Sequence, residues 1–293
     1  MVNKIELSAL VDFIEKMPGF SPAALKIISL ANNPKSSPTD LVNAVTMDPN
    51  LTAKVLKLVN SAYFGSRGVA SVNRAVMLLG FNTIKNIALS VAVASSIKVR
   101  DNFKWFSNNQ FWEHNLACAI ASRNIAKAMN VNPMEIEEYF VAGLVHDIGK
   151  GALIYKLGAD SDALYNPDFE PEHARHEVEK EQLGVSHEEI SGMIAKKWKF
   201  PDSLAAAIAH HHNPLEAPEQ HRKLALAVRI ADHSCHNLKI GIQTSMNLGN
   251  IKEEEWSAFS LTPEDVEKSL SGLPEAVESA RDFLMDLDSG KKK

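Results

Sequence analysis

Cysteine and long apolar runs are both scarce in this sequence, and each scarcity argues against a class of protein. Only two cysteines, Cys118 and Cys235, occur among the 293 residues, and they form no Cys-x-x-Cys motif. A disulfide framework is therefore disfavoured, and a reducing cytoplasm is the expected compartment. The longest stretch of low polarity, residues 87–97, covers about half of the roughly 20 residues that a membrane-spanning helix needs. We expect it to form a buried helix, and we expect no membrane association.

An excess of basic charge is absent as well. The chain carries 31 Lys and Arg residues against 36 Asp and Glu residues, a net charge of −5, and its pI is near 6.1. A broad nucleic-acid-binding face is therefore not expected, although a local basic patch is compatible with these numbers. With 45% hydrophobic and 23% charged residues, the composition is typical of a globular chain with a substantial core. Nothing in it indicates an oligomeric state.

Strand patterns are missing too. Alternation of apolar and polar residues does not extend over any useful length, whereas apolar residues recur at helical spacing through most of the chain. We therefore predict an all-α protein. Helix starts are marked by cap residues, most of them followed by proline: Ser21-Pro22, Thr39, Asp48-Pro49, Ser186 with Glu189 in a capping box, and Thr262-Pro263. Residues 158–170 are polar and turn-rich, so a surface loop is predicted there.

The helices are expected to form a two-lobed helical bundle. We predict an N-terminal lobe over residues 1–105 and a second lobe, which holds most of the histidines, over residues 106–240. Residues 241–293 are predicted to add peripheral helices and a C-terminal tail. All candidate site residues then belong to the second lobe.

An adjacent His146–Asp147 pair ends an apolar run and is followed by Gly149, where we expect the helix to break, and by Lys150. One imidazole nitrogen and one carboxylate oxygen can bind the same divalent metal, although a hydrogen-bonded pair at a helix end would have the same sequence. A two-metal phosphohydrolase site needs further such ligands, and helical bundles build these sites in their cores. The chain supplies candidates elsewhere: His114, His187, His210, His211 and Asp232.

These candidates also have plainer interpretations. His114 could be a buried histidine with ordinary hydrogen bonds, and His187 could be a surface residue in the first turn of a helix. Residues 210–212 end a helix, where the dipole favours a protonated imidazole in any case. Cys118 and Cys235 lie one helical turn from two of the candidate ligands, and we interpret them as small buried apolar residues.

Two sequence blocks in the first lobe resemble a known family. Residues 48–65, DPNLTAKVLKLVNSAYFG, resemble the signature of the HDOD family, and residues 72–80, VNRAVMLLG, match its next block. The likeness extends over roughly residues 8–215. HDOD proteins are bacterial modules related to HD phosphohydrolases and used as outputs in signalling proteins. The resemblance implies an HD-domain-like fold for the second lobe.

The resemblance also implies roles for the candidate ligands. In the HD superfamily pattern a first metal would be bound by a His, a His-Asp pair whose Asp147 bridges, and a distal Asp: His114, His146, Asp147 and Asp232. The HD-GYP branch, which hydrolyses cyclic di-GMP, adds ligands for a second metal, here His187 and either His210–His211 or His211–His212. Lys150 stands where that branch places a phosphate-contacting lysine. Two divalent ions are thus implied, with iron or manganese favoured and zinc or nickel also suited to these ligands.

The sequence departs from the HD-GYP branch at two places. Asn213 and Pro214 follow the histidines where that branch has Gly-Tyr-Pro. Gln110 stands where some three-metal members have a glutamate, so a third metal is not expected.

Two functions fit this sequence. The first is a signalling output or regulatory protein that retains an HD-type metal site and has signalling proteins or a nucleotide second messenger as partners. The second is an active metal-dependent phosphohydrolase or phosphodiesterase that acts on a (cyclic di)nucleotide, with Asp147 and Lys150 as catalytic residues. The sequence leaves open whether the protein is an enzyme.

Overall fold

The computed structural model describes residues 7–16, 20–66, 68–96, 107–166, 174–241 and 250–288. Within those ranges the regular structure is entirely helical, which confirms the all-α prediction. The predicted lobe boundary at residue 105 and the tail beyond residue 288 lie outside the described residues. None of the described helices is both long and apolar enough to cross a membrane.

The helices follow one another with short connections. The first third of the chain forms α1 (Leu7–Lys16), α2 (Pro22–Ala31), α3 (Pro38–Thr46), α4 (Pro49–Val59), α5 (Val72–Leu79) and α6 (Phe81–Ser96), with a 3₁₀ turn at Ala62–Phe64. The middle forms α7 (Asn108–Ala128), α8 (Ile136–Val145), α9 (Ile148–Leu157), α10 (Ser161–Leu164), α11 (Arg175–Leu183), α12 (His187–Lys197), α13 (Asp202–Ala209) and α14 (Arg222–Asn237). The chain ends in α15 (Glu253–Ala258), α16 (Pro263–Ser269) and α17 (Leu273–Asp288).

Side-chain caps explain where the helices begin. Ser21 accepts a hydrogen bond from the backbone N–H three residues further on at 3.3 Å, and Asp48 caps α4 in the same manner. The prediction of Thr39 as the cap of α3 is wrong. That helix begins at Pro38, and Ser37 forms a reciprocal capping box with Asp40. Proline at the first helical position fixes the start two residues earlier than a Thr39 cap would.

The loop that follows α4 is closed by hydrogen bonds of one asparagine. Aromatic side chains attach this loop to α8. Asn60 accepts from the N–H of Val69 at 2.8 Å and donates to its carbonyl oxygen at 2.9 Å. Tyr63 packs on Phe140 of α8 with a ring separation of 6.2 Å. Arg123 of α7 donates to the Tyr63 hydroxyl at 3.2 Å. The signature residues therefore contact the two helices that carry His114 and His146.

The backbones of α7 and α8 are in direct contact at Gly143. A Cβ added at Gly143 would lie 2.5 Å from the carbonyl oxygen of Cys118 and 2.8 Å from the Cα of Ala119. This close contact brings the His114 and His146 rings to a centroid separation of 5.6 Å. α14 packs against both helices, and α12 packs against α9 and α13, so the helices that carry the candidate ligands pack against one another.

Two segments are better packed than the sequence indicated. The predicted surface loop at residues 158–170 contains α10, and Leu164 and Tyr165 are buried, while residues 167–173 lie outside the described residues. The C-terminal α17 packs against α7 and α4, with Leu273, Val277 and Ala280 buried. Apolar residues in both segments contribute to the core.

Replacing Gly143 with alanine tests the backbone contact. The added Cβ would overlap α7, and we expect Gly143→Ala to lower the free energy of unfolding by about 1–3 kcal/mol, as overpacking does. Gly272→Ala is the matched control, because a Cβ there would meet no atom within 4 Å. Urea denaturation of both variants is the measurement. Equal stability of the two variants would contradict the close approach.

Candidate metal centre

The His146–Asp147 pair forms the turn between α8 and α9, so the helix breaks at the pair rather than at Gly149. Gly149 lies in the first turn of α9, where a Cβ would overlap the carbonyl oxygen of His187 in α12. Its N–H donates to Ser191 Oγ at 2.9 Å, and that hydroxyl donates to the carbonyl oxygen of His146 at 3.1 Å. Because Gly149 has no side chain, α12 can pack against the His-Asp turn, and His187 lies beside Asp147.

A first group of ligand-type side chains joins α7, the His-Asp turn and α14. His114 Nε2 lies 3.0 Å from Asp232 Oδ1, and His146 Nε2 lies 3.7 Å from the same oxygen. His146 Nε2 is also 3.5 Å from Asp147 Oδ2. Cys118 Sγ lies 3.4 Å from His114 Nε2. Two imidazoles, two carboxylates and one thiol thus face one small volume.

A second group lies on the other side of Asp147. His187 Nε2 is 3.3 Å from Asp147 Oδ1, and His211 Nε2 is 3.6 Å from that oxygen. The two imidazole Nε2 atoms are 3.3 Å apart, and His212 Nε2 is 2.9 Å from His187 Nε2. Asp147 therefore turns Oδ1 toward this group and Oδ2 toward the first, which is the position of a bridging carboxylate.

Backbone carbonyls orient two of the imidazoles. His146 Nδ1 lies 2.8 Å from the carbonyl oxygen of Gly143, and His211 Nδ1 lies 2.8 Å from that of Ile208. A carbonyl oxygen can only accept, so the neutral ring carries its proton on Nδ1 and directs the Nε2 lone pair into the cluster. This arrangement is typical of metal-binding histidines.

His212 is held in the opposite tautomer. Arg229 Nη1 lies 3.3 Å from His212 Nδ1, and a guanidinium can only donate. The neutral ring therefore carries its proton on Nε2, where it faces His187 Nε2 at 2.9 Å. His211 therefore offers a lone pair to a cation, whereas the neutral His212 ring turns its N–H toward His187.

A buried glutamate that the sequence did not single out orients His187. Glu179 Oε2 accepts from His187 Nδ1 at 2.6 Å and from its backbone N–H at 2.7 Å, while Oε1 accepts from the Tyr165 hydroxyl at 2.9 Å. Although burial acts in the opposite direction, the Glu179 charge raises the pKa of His187 to about 9. No sequence pattern separates Glu179 from Glu177 and Glu181, which the structure leaves exposed.

Both carboxylates of the cluster are held ionised. Burial alone would raise the pKa of Asp147, but the charges of His146 and Lys150 outweigh it and hold that pKa well below its usual range. Burial would also raise the pKa of Asp232, but the hydrogen bond with His114 and the nearby His146 hold it well below its usual range. Burial lowers the pKa of His211 to about 4, so that ring is neutral. The two buried anions require positive charge nearby, which protons or a divalent cation can supply.

Several buried polar atoms in the cluster lack a hydrogen-bond partner among the described residues. They are His146 Nε2, Asp147 Oδ1, Asp232 Oδ2 and His236 Nε2. Leaving such atoms unsatisfied is costly, and imidazole nitrogen with carboxylate oxygen is a donor set that divalent transition metals bind. The residues present therefore fit a divalent cation.

The structure brings six of the seven predicted ligands together: His114, His146, Asp147, His187, His211 and Asp232. Lys150, predicted as a catalytic residue, lies with them, its Nζ 2.7 Å from Asp147 Oδ2. His210 does not belong to the group. It is only half-buried, and it lines a surface cavity with Gly192 and Lys199. His210 directly follows the end of α13 and faces outward, so the histidine pair in the cluster is His211–His212.

Comparison with known proteins places this geometry in a family. The sequence profile of the HDOD domain matches residues 17–214. A curated relative, an uncharacterised protein of Treponema pallidum, is 25% identical over 226 residues. That alignment covers 77% of this chain and 43% of the relative, so the chain spans less than half of the relative's length.

Solved structures share the fold. An HDOD domain protein of unknown function from Geobacter sulfurreducens has a TM-score of 0.73 at 20% identity, with 96% of this chain and 99% of that chain covered. A proposed phosphohydrolase from Shewanella amazonensis has a TM-score of 0.70 at 23% identity, with coverage of 96% and 98%. At these identities the likeness establishes the helical fold.

Removing the Glu179 side chain tests the hydrogen-bond chain behind His187. Glu179→Ala would leave Tyr165 and His187 without their buried partner, and we expect it to lower the free energy of unfolding by about 3–5 kcal/mol. Glu181→Ala, an exposed position on the same helix, is expected to change it by less than about 0.5 kcal/mol. Urea denaturation of the two variants is the measurement, and equal midpoints would show that Glu179 is not an essential buried partner.

Proposed function

The chain belongs to the HDOD domain family, and from that premise we propose that it is a signal-transduction protein of the bacterial output type with a divalent-metal centre in its HD-like lobe. The observation that carries the proposal is the convergence of the imidazoles of His146, His187 and His211 on the two oxygens of Asp147. Without a cation, the Nε2 lone pair of the neutral His211 would face an oxygen of the buried Asp147 carboxylate, and two buried acceptors left without a donor are costly.

The proposed centre holds two ions. The first group of donors, His114, His146 and Asp232, faces Asp147 Oδ2, and the second group faces Oδ1. Iron or manganese is the favoured metal by family resemblance, and zinc or nickel also suits these nitrogen and oxygen donors. Bound ions would supply Lewis acidity and an activated water to any phosphate ester that reached them.

Burial favours a regulatory or structural centre over a catalytic one. His114 is 2% exposed, Asp147 is 1% exposed, and His146, His187 and His211 are 0% exposed. A dinucleotide substrate has to touch the reacting atoms, whereas a structural ion is well placed inside a core. The free energy of metal binding then adds to the stability of the helical lobe.

A specific observation supports the alternative, a metal-dependent phosphohydrolase or phosphodiesterase. Lys150 is buried, and the charge of Asp147 outweighs burial and raises the pKa of the lysine, which keeps the ammonium group protonated. Its Nζ lies 2.7 Å from Asp147 Oδ2. A fixed cation beside the bridging carboxylate could orient a phosphate oxygen.

The remaining assignments follow the family. As partners we propose signalling proteins or a nucleotide second messenger, since HDOD modules act as outputs of signalling proteins. We propose the cytoplasm as the compartment, because both cysteines are free thiols and free thiols persist in a reducing environment.

Metal analysis tests the centre directly. Protein purified without chelators is expected to contain about two equivalents of divalent metal, as two-metal sites do. Asp147→Asn should lose most of it, because that carboxylate faces both groups of donors. His210→Ala should retain it, because that ring lies outside the cluster. Elemental analysis of the three proteins is the measurement. Metal-free wild-type protein that also takes up none from added salts would refute the proposed centre.

Hydrolysis assays separate the two candidate functions. We expect metal-loaded wild-type protein to leave cyclic dinucleotides and bis(p-nitrophenyl) phosphate intact, while removal of the metal lowers its melting temperature. A site saturated at 1,000 times its dissociation constant contributes about 4 kcal/mol, which a thermal scan detects readily. Turnover by the wild type that disappears in Asp147→Asn would instead establish the phosphohydrolase.

A further inference from the structure

Cys118 belongs to the first group of donors by position as well as by distance. It follows His114 by four residues on α7, so the two side chains lie one turn apart on one helix face. Its Sγ lies 3.4 Å from His114 Nε2. One donor atom from each of His114, Cys118, His146 and Asp232 lies within 4.8 Å of all the others, and all four residues are buried.

The sulfur faces ligand atoms rather than the hydrocarbon core. His146 Nε2 and Asp232 Oδ2 are buried in the same group without hydrogen-bond partners among the described residues. A thiol forms only a weak hydrogen bond with an imidazole nitrogen, whereas a thiolate is a strong ligand for a divalent cation. Four mutually close donors, two of them with unsatisfied atoms, therefore favour a cation that the sulfur also binds.

We propose that Cys118 is a ligand of the first metal subsite, where it adds a sulfur to the donors of His114, His146, Asp232 and the bridging Asp147, and that this subsite takes a thiophilic divalent cation such as zinc(II) or iron(II) rather than manganese(II). The inference rests on the proposed metal centre and refines it. As the sulfur–metal bond forms, the S–H bond breaks and its proton passes to solvent. Thiolate ligands select zinc and iron over the oxygen-preferring manganese and magnesium.

Two neighbouring side chains define the controls. Cys235 of α14 is also buried. It is not among the four mutually close donors. His236 places Nε2 3.5 Å from Asp232 Oδ1 and is the competing candidate for the additional ligand.

Cobalt(II) substitution tests the sulfur ligand with a readout that needs no activity. Metal-free full-length protein is loaded with cobalt(II), and the wild type is expected to show a sulfur-to-cobalt charge-transfer band in the near ultraviolet. Cys118→Ser should bind cobalt without that band, and Cys235→Ser should keep the band. Because the chain has only 2 cysteines, a band in Cys235→Ser can come from Cys118 alone, even if Cys118→Ser fails to fold.

Competition between metals gives a second measure. Zinc affinity should fall in Cys118→Ser by more than the roughly 10–100-fold that loss of an outer-sphere partner costs, while manganese affinity should change less.

Cobalt bound by the wild type without the band would overturn the sulfur ligand and leave the metal centre standing, with His236→Ala then testing the competing nitrogen. A band that persists in Cys118→Ser and disappears in Cys235→Ser would also overturn the assignment. Failure of the wild type to bind any cation would overturn both the sulfur ligand and the centre itself.

Discussion

The pairing of the ionised Asp147 carboxylate, enclosed in a helical core, is the interaction on which the packing around the His-Asp turn depends. A buried charge of this kind costs several kcal/mol unless it is paired and hydrogen-bonded. Lys150 pairs with one oxygen, and imidazoles from the turn, α12 and the end of α13 surround the two oxygens. Because each partner comes from a different helix, the fold and the candidate metal centre depend on the same contacts.

Backbone geometry places these partners with little freedom. Gly143 and Gly149 let α7 and α12 approach the His-Asp turn more closely than any side chain would permit. Carbonyl oxygens at two helix ends then fix the rotation of the His146 and His211 rings. The two glycines thus set the positions of the helices. The backbone carbonyls that are left unpaired at helix ends set the orientation of the imidazole rings.

The sequence was sufficient to predict features that depend on residues close together in the chain. Caps such as Ser21 and Asp48 follow from neighbouring residues, and the spacing of His114, the His-Asp pair and Asp232 was sufficient once a family resemblance was available. The failures concern direction in space. His210 and His211 are adjacent residues that point to opposite sides because both follow the end of α13. Glu179 differs from Glu177 only by the helix face on which it lies. The role proposed for Cys118 depends on which neighbours its sulfur meets, and only the fold shows them.

The guanidinium of Arg123 joins the family signature to the centre. It contacts the Tyr63 ring and hydroxyl on one side and donates to Glu137 Oε1 at 2.8 and 2.6 Å on the other. Tyr63 belongs to the loop after α4, and Glu137 belongs to α8, nine residues before His146. Any displacement of the loop relative to α7 and α8 would therefore have to break this shared set of contacts or move the two helices that carry His114 and His146 with it.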